Sequence, residues 1–341
     1  MTTWVDVLST LVAHRDLAAD QAGWAMEQIL AGEATPAQIA GFAVALRSKG
    51  ETVGEVTALA DAMLAAGNSI SVEGRLLDVV GTGGDRSMSV NISTMAAIVA
   101  AGAGARVVKH GSRSASSTSG SADVLEHLGI RLDLPVKRVA EVAMEAGITF
   151  CFAAAFHPAM RYAAVPRREM GIATSFNLLG PLTNPSRPEA QAIGCADSAA
   201  APVMAGVFVA RGVDAWVFRG DDGLDELTTT TTSTLWAVHG GDVQETKVDP
   251  AALGFAPATT QDLRGGDAAH NADVIRRVVA GEQGPVRDAV VLNAGAALAV
   301  YDDPAAEPMT ALAAGIEKAA DAIDSGAALA TLDRWVAASS R

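Results

Sequence analysis

An apolar run from Leu76 to Val80 passes straight into Gly81-Thr82-Gly83-Gly84-Asp85 and then into an Asn91-Ile92-Ser93-Thr94 helix start. A buried strand, a glycine turn and a helix in that order commit the chain to an α/β plan. The alternation repeats, predicting strands near 76–80, 105–108, 148–152, 191–196 and 215–219 with helices between them. Thr234 to Val248, with Gly240-Gly241 in its middle, reads as a hairpin, and helices close the chain from about Asp267. The expected fold class is therefore α/β, a largely parallel central sheet flanked by helices, with ligands gathered at the carboxyl ends of the strands.

Before that sheet the pattern is helical to about Gly67. Ala22, Ala25, Met26, Ile29 and Leu30 form one apolar stripe. Thr35-Pro36-Ala37-Gln38 reads as a capping box with proline at the first helical position, followed by Ile39, Phe42, Ala43 and Leu46 at helical spacing. A third stripe runs through Val53, Val56, Leu59, Ala60, Met63 and Leu64. The expected division is a smaller all-helical domain over 1–70, completed by helices from about 158–188, and an α/β domain over 71–157 and 189–341. The helical part, poor in reactive groups, suits packing or an oligomer contact.

Charge excludes some roles. Lys and Arg total 25 against 39 Asp and Glu, a net charge of −14, which argues against a nucleic-acid or anionic-membrane surface. Cys151 and Cys195 lie in apolar stretches and fit buried thiols rather than a disulfide. The N-terminus lacks a basic region and a cleavage site, and no apolar run is long enough to span a bilayer, so a cytoplasmic location is expected.

The glycine turn is a cradle for phosphate, because glycines let backbone N–H groups approach an anion and the helix behind offers unpaired donors and a favourable dipole. A second loop, expected to follow the strand 105–108, presents Lys109, His110, Arg113 and the hydroxyls of Ser112, Ser114, Ser116, Ser117, Thr118, Ser119 and Ser121. Two anion loops imply a diphosphate or two phosphates. Asp221, Asp222, Asp225 and Glu226 crowd a further strand end, as exposed loop carboxylates. They form either a solvated acidic turn or a Mg²⁺ site beside the phosphates. Arg167 or Arg168 offers a guanidinium fork for a carboxylate, or pairs on a helix surface. His110 and His157 are either packed histidines or walls of a substrate pocket.

GTGGD, NIST, KHGxRxxSSxSG, HPAM, RRE, FNLLGPLTNP and DGLDEL occur here in the order and spacing of the anthranilate phosphoribosyltransferases of tryptophan biosynthesis, and the resemblance covers nearly the whole chain. It implies a nucleoside phosphorylase/phosphoribosyltransferase-like fold, homodimerisation through the helical domain, and transfer of the phosphoribosyl group of phosphoribosyl pyrophosphate to the amine of anthranilate. Donor binding would fall to Gly81, Gly84, Asp85, Ser89, Asn91, Ile92, Ser93, Thr94, Lys109, His110, Gly111, Ser112, Arg113, Ser114, Ala115, Ser116, Ser117 and Ser121. Anthranilate would meet Gly81, His110, Ser112, His157 and Arg167, and Mg²⁺ would be held by Ser93, Asp225 and Glu226. Two positions depart from the family pattern: Ser112 stands where Asn is usual, and Ala154 where Pro is usual. The architecture alone is equally that of a pyrimidine nucleoside phosphorylase, a transferase for a related aromatic amine, or a nucleic-acid-binding relative. Phosphate alone would not call for the paired acids, which separates the phosphorylase.

Overall fold

The structure, a computed structural model, describes residues 1–113 and 119–341. It opens with four helices, α1 (Trp4–Val12), α2 (Ala19–Ala31), α3 (Pro36–Lys49) and α4 (Val53–Ala66). Three of them begin with reciprocal caps, in which Thr3, Thr35 and Thr52 accept from the N–H three residues on while Asp6, Gln38 and Glu55 reach back. The stripe of α1, with Val7 and Leu11 buried, was not among those anticipated. Glu55 is fully buried, and its carboxylate is matched by the Leu17 and Thr52 N–H groups and by Lys49.

The rest of the chain runs β1 (Leu77–Gly81), α5 (Ile92–Gly102), β2 (Val107–Gly111), α6 (Ser121–His127), α7 (Val136–Ala146), β3 (Ile148–Phe152), α8 (Ala153–Phe156), α9 (Arg161–Met170) and α10 (Phe176–Leu182). It continues through β4 (Ala190–Gly194), α11 (Ala200–Arg211), β5 (Asp214–Gly220), the hairpin β6 (Ser233–His239) and β7 (Asp242–Val248), and then α12 (Ala268–Val279), α13 (Pro285–Asp302), α14 (Pro308–Asp324) and α15 (Ala327–Ser339). Among the described residues the strands form one sheet ordered β3-β2-β1-β4-β5-β6-β7, parallel through β5 and antiparallel at the hairpin. The fold class read from the sequence is the one observed.

Alternation along the strands divides the core. Trp216, Phe218, Leu235 and Ala237 face a cluster built with α5, α12, α13, α14 and α15, whereas Ala215, Val217, Trp236 and Val238 face α11 and the N-terminal helices. Each fully buried Val, Leu or Ile contributes about 1.5–3 kcal/mol relative to exposure. Helix α9 packs on α2 and α3, and α10 packs on α4, α11 and β2, so the 158–188 segment lies between the helical bundle and the sheet.

One strand boundary matters for the site. The second loop begins at Ser112, not at Lys109, because β2 pairs with β3 from Val107–Ile148 through Gly111–Phe152. That ladder carries the strand on through Lys109 and His110, both of them buried. Cys151 and Cys195 are free and buried, as expected. Among the described residues no helix is long and apolar enough to cross a membrane.

Candidate active site

A cavity of about 600 Å³ opens at the carboxyl ends of β1, β2 and β3, walled on its other side by α9 and α10. Gly81, Gly84, Asp85, Ser89, Asn91, Ser93, Lys109, His110, Gly111, Ser112, Arg113, Ser121, His157, Arg167, Asp225 and Glu226 all line it. Ile92 and Thr94 do not: both side chains are fully buried behind the cavity, Ile92 in the core and Thr94 donating to Ser121 Oγ at 3.2 Å. Ser114, Ala115, Ser116 and Ser117 lie outside the described residues.

The glycine turn is held open by left-handed backbone at Gly83 (φ 67°) and Gly84 (φ 86°), a region costly for residues with a Cβ. Among the described residues no side chain caps α5. Its N-cap Asn91 is instead tied sideways, accepting from Asn271 Nδ2 at 2.9 Å and donating to Ser119 C=O at 3.3 Å. The start of α5 therefore faces the cavity without a capping oxygen, the arrangement that receives anions.

The four-acid loop after β5 divides in two. Asp221 pairs with Lys247 and Thr232, and Asp222 accepts from the Leu224 N–H and the hydroxyls of Thr228 and Thr230, so the threonine run serves to build the turn. Asp225 and Glu226 point the other way. They are not exposed loop carboxylates: they are 7% and 8% exposed, because Asn293 grips the Leu227 backbone from α13 and draws the loop inward. Asp225 Oδ2 accepts from the Gly83 N–H at 2.7 Å.

Asp85 joins them, and oxygens of Asp85, Asp225 and Glu226 lie within 4.8 Å of one another. Sequence reasoning placed Asp85 among the phosphate ligands. A carboxylate in a phosphate turn repels the ligand unless a cation intervenes, and that was the signal missed. Burial raises the pKa of Asp225 and Glu226, and neighbouring carboxylates raise both further. Glu226 Oε2 and Asp85 Oδ2 are buried without a hydrogen-bond partner among the described residues. Hard, unpartnered carboxylate oxygens around one point fit Mg²⁺.

Lys109 is buried beneath the turn, donating to the Val79 carbonyl and to Ser93 Oγ. Burial pushes its pKa down to about 8, against the pull of Asp78, Glu226 and Asp225. His110 Nδ1 bonds the Gly180 carbonyl at 2.9 Å, and its ring meets His157 edge-on at 5.2 Å between centroids. Burial pushes His110 down to about 3, so it is neutral, and its Nε2 has no partner among the described residues. His157 Nε2 bonds the Thr183 carbonyl at 2.8 Å. Both histidines are thus packed and hydrogen-bonded while also lining the cavity.

Arg113 is engaged with Asp123 and Glu126 and stacks on Phe152, and Ser112 Oγ donates to the Arg113 carbonyl at 2.9 Å. Arg167 reaches the cavity and Arg168 stays on the surface. The Arg167 guanidinium lies 5.6 Å from the Phe176 ring centroid, with no acidic partner among the described residues. Arg161, which sequence reasoning did not single out, also lines the cavity and stacks on Tyr162.

The helical-bundle domain model of a glycosyl transferase family matches residues 5–67, and its α/β domain model matches residues 73–329. The anthranilate phosphoribosyltransferase of a Nocardioides species is 74% identical over 341 residues, covering all of both chains. The crystal structure of the Thermus thermophilus anthranilate phosphoribosyltransferase superposes with a TM-score of 0.91 at 39% identity, covering 98% of this chain and all of that one. The Saccharomyces cerevisiae anthranilate phosphoribosyltransferase in complex with PRPP and Mg shares the fold, with a TM-score of 0.89 at 24% identity over 99% of this chain and 98% of that one. By this likeness along its whole length, the chain belongs to the anthranilate phosphoribosyltransferase family.

Proposed function

We propose that the protein transfers the 5-phosphoribosyl group of phosphoribosyl pyrophosphate to the amine of anthranilate, giving N-(5-phosphoribosyl)-anthranilate and diphosphate in tryptophan biosynthesis. The observation that carries this reading is the meeting, in one cavity, of the Asp85, Asp225 and Glu226 carboxylates with Arg167, an arginine with no acidic partner among the described residues. Asp85, Asp225, Glu226 and the Ser93 hydroxyl would hold Mg²⁺, which supplies positive charge to the diphosphate as it departs. Two protons of the Lys109 ammonium are used within the protein, leaving a third for a phosphate oxygen. The start of α5 and the glycine turn add backbone donors for the same anion.

Arg167 would take the anthranilate carboxylate, with Phe176 behind its guanidinium, and neutral His110 would meet the ring or the amine through Nε2. An aromatic amine is already neutral, so its lone pair can attack once it is positioned against the anomeric carbon; the C–N bond forms as the bond to diphosphate breaks, and the proton the nitrogen then loses passes to diphosphate or water. Loss of anthranilate fluorescence on mixing the protein with phosphoribosyl pyrophosphate and Mg²⁺ tests the reading. No loss of fluorescence would refute it.

The two-domain division, 1–70 with 158–188 against the remainder, is supported by the packing of α9 on α2 and α3. We assign the chain to a homodimer through its helical part, where Val5, Val12 and Val44 are exposed. A cytoplasmic location suits two free cysteines and charged, water-soluble substrates.

A further inference from the structure

The sheet is unevenly stitched beneath the cavity. Strand β1 pairs with β4 along its whole length, from Leu77–Ala190 to Gly81–Gly194, yet with β2 only at Leu77–Val107. Continued in that register, a parallel ladder would set Val79 opposite Lys109 and have it exchange hydrogen bonds with Val108 and His110. Side chains make those bonds instead. Val108 C=O accepts from Asn184 Nδ2 at 2.7 Å, the His110 N–H donates to Asp78 Oδ1 at 3.1 Å, and Val79 C=O accepts from Lys109 Nζ. Asn184 Nδ2 also donates to Asp78 Oδ2 at 2.8 Å, and its Oδ1 accepts from the Ser186 N–H and hydroxyl at 2.9 and 2.8 Å.

A fully buried carboxylate and a buried amide thus occupy the seam that a regular sheet would close. Buried backbone groups must be paired, so the opening persists because side chains take the four that two ladder bonds would have used: Asp78 faces the His110 and Val79 N–H groups, Asn184 the Val108 carbonyl and Lys109 the Val79 carbonyl. The opening is where Lys109 passes under the glycine turn to Ser93, and where the His110 backbone is fixed while its ring meets Gly180 and His157. Asp78 itself is absent from the cavity lining, so any effect it has on substrates must act through these two residues.

We propose that Asp78, anchored by Asn184, is a positioning residue that holds the β1–β2 seam open and so sets Lys109 toward the phosphorylated donor and His110 toward the aromatic acceptor. The proposal rests on the donor and acceptor assignments above.

Asp78→Asn keeps the shape but turns an amide N–H₂ toward Asn184 Nδ2 or the His110 N–H, and Asn184→Ala removes the anchor, together with its bond to the Val108 carbonyl, without changing a strand residue. Each variant is assayed well below its thermal midpoint, with the KM for phosphoribosyl pyrophosphate, the KM for anthranilate and kcat read separately. The expected result is a rise of about tenfold or more in both KM values, with kcat less affected, since losing a hydrogen bond to a charged group displaces the binding residues rather than the reacting atoms. Unchanged KM values in a folded variant, with only a lower midpoint, would overturn the proposal and leave Asp78 a purely structural residue. Failure of both variants to fold would overturn it equally. If the unaltered protein shows no transfer, the functional reading fails; if it turns over normally and the variants keep its KM values, only this inference does.

Discussion

The Asp225 carboxylate fills the space that a side chain at Gly81 would need: a Cβ there would overlap Asp225 Oδ2 and lie 2.9 Å from its Cγ. Gly194, the β4 partner of Gly81, is crowded by the Asp225 backbone carbonyl. The two glycines therefore respond differently to substitution. Gly81→Ala moves a side chain, so the Mg²⁺ concentration for half-maximal velocity should rise about ten- to hundredfold, as for other displaced metal ligands. Gly194→Ala meets backbone that cannot rotate away, and should instead lower stability by about 1–3 kcal/mol. Mg²⁺ titrations of activity and thermal melts distinguish the two, and an unshifted Mg²⁺ midpoint in Gly81→Ala would remove Asp225 from the metal site.

Asp225→Asn with Glu226→Gln should abolish most turnover, yet the fold should survive although the pair is buried rather than exposed as the sequence suggested. The pair is buried, and burial raises both pKa values, with the neighbouring Asp85 charge raising each further, so its charges oppose folding when no cation is bound. The metal-free double variant should melt at or above the unaltered protein near pH 7.5. Added Mg²⁺ should raise the midpoint of the unaltered protein alone; an equal rise in both would place the ion elsewhere.

His110 makes stability depend on pH. Its folded pKa, about 3, lies below the ordinary 6.5, so on acidification from pH 6.5 the unfolded chain takes up a proton that the native state refuses. This group's contribution is complete above pH 6.5 and declines as pH falls, by about 1.4 kcal/mol per pH unit once the unfolded imidazole is protonated. Burial of Asp78, with its pKa pushed up to about 6, acts in the opposite sense between pH 4 and 6 and is common to both proteins compared. Unfolding free energies of the unaltered protein and of His110→Gln between pH 6.5 and 5 should diverge by that slope. Parallel curves would mean that His110 titrates in the native state.

The order of strands and helices was legible because period-two and helical spacings survive in any α/β core. The hairpin at Gly240-Gly241 and the capping box at Thr35 were readable for the same local reasons. What escaped depended on partners distant in sequence. Lys109 looked like a loop residue because a charged residue inside a strand makes sense only when Val79 C=O and Ser93 lie across from it. Asp225 and Asp222, three positions apart, could not be told apart until Asn293 from α13 drew one inward and the threonines held the other outside. Asp78 read as the middle of an apolar strand and Asn184 as part of the 158–188 segment, and nothing local marks a seam between strands.

Arg167 is half-buried against Phe176, its pKa lowered by burial, and no acid neutralises it among the described residues. Arg167→Ala should therefore lower kcat/KM for anthranilate about ten- to hundredfold, the worth of a charge-assisted contact, while the KM for phosphoribosyl pyrophosphate stays nearly constant. Steady-state kinetics with each substrate varied in turn provides the check. An equal loss on the donor side would reassign Arg167 to the phosphates.

Ser112 is the departure from the family pattern that touches the acceptor side most directly. It lines the cavity, but its hydroxyl folds back to the carbonyl of Arg113 and leaves nothing extended toward a ligand. An asparagine there carries two donors and an acceptor further from the backbone, enough to span what the serine reaches only through water. Ser112→Asn should raise kcat/KM for anthranilate about fivefold, the value of one added hydrogen bond, and leave the KM for phosphoribosyl pyrophosphate alone, because the glycine turn and the acidic trio are untouched. No gain, with ordinary turnover in the unaltered protein, would show that position 112 tolerates either residue. A gain confined to a different aromatic amine would show that the serine has retuned the acceptor pocket.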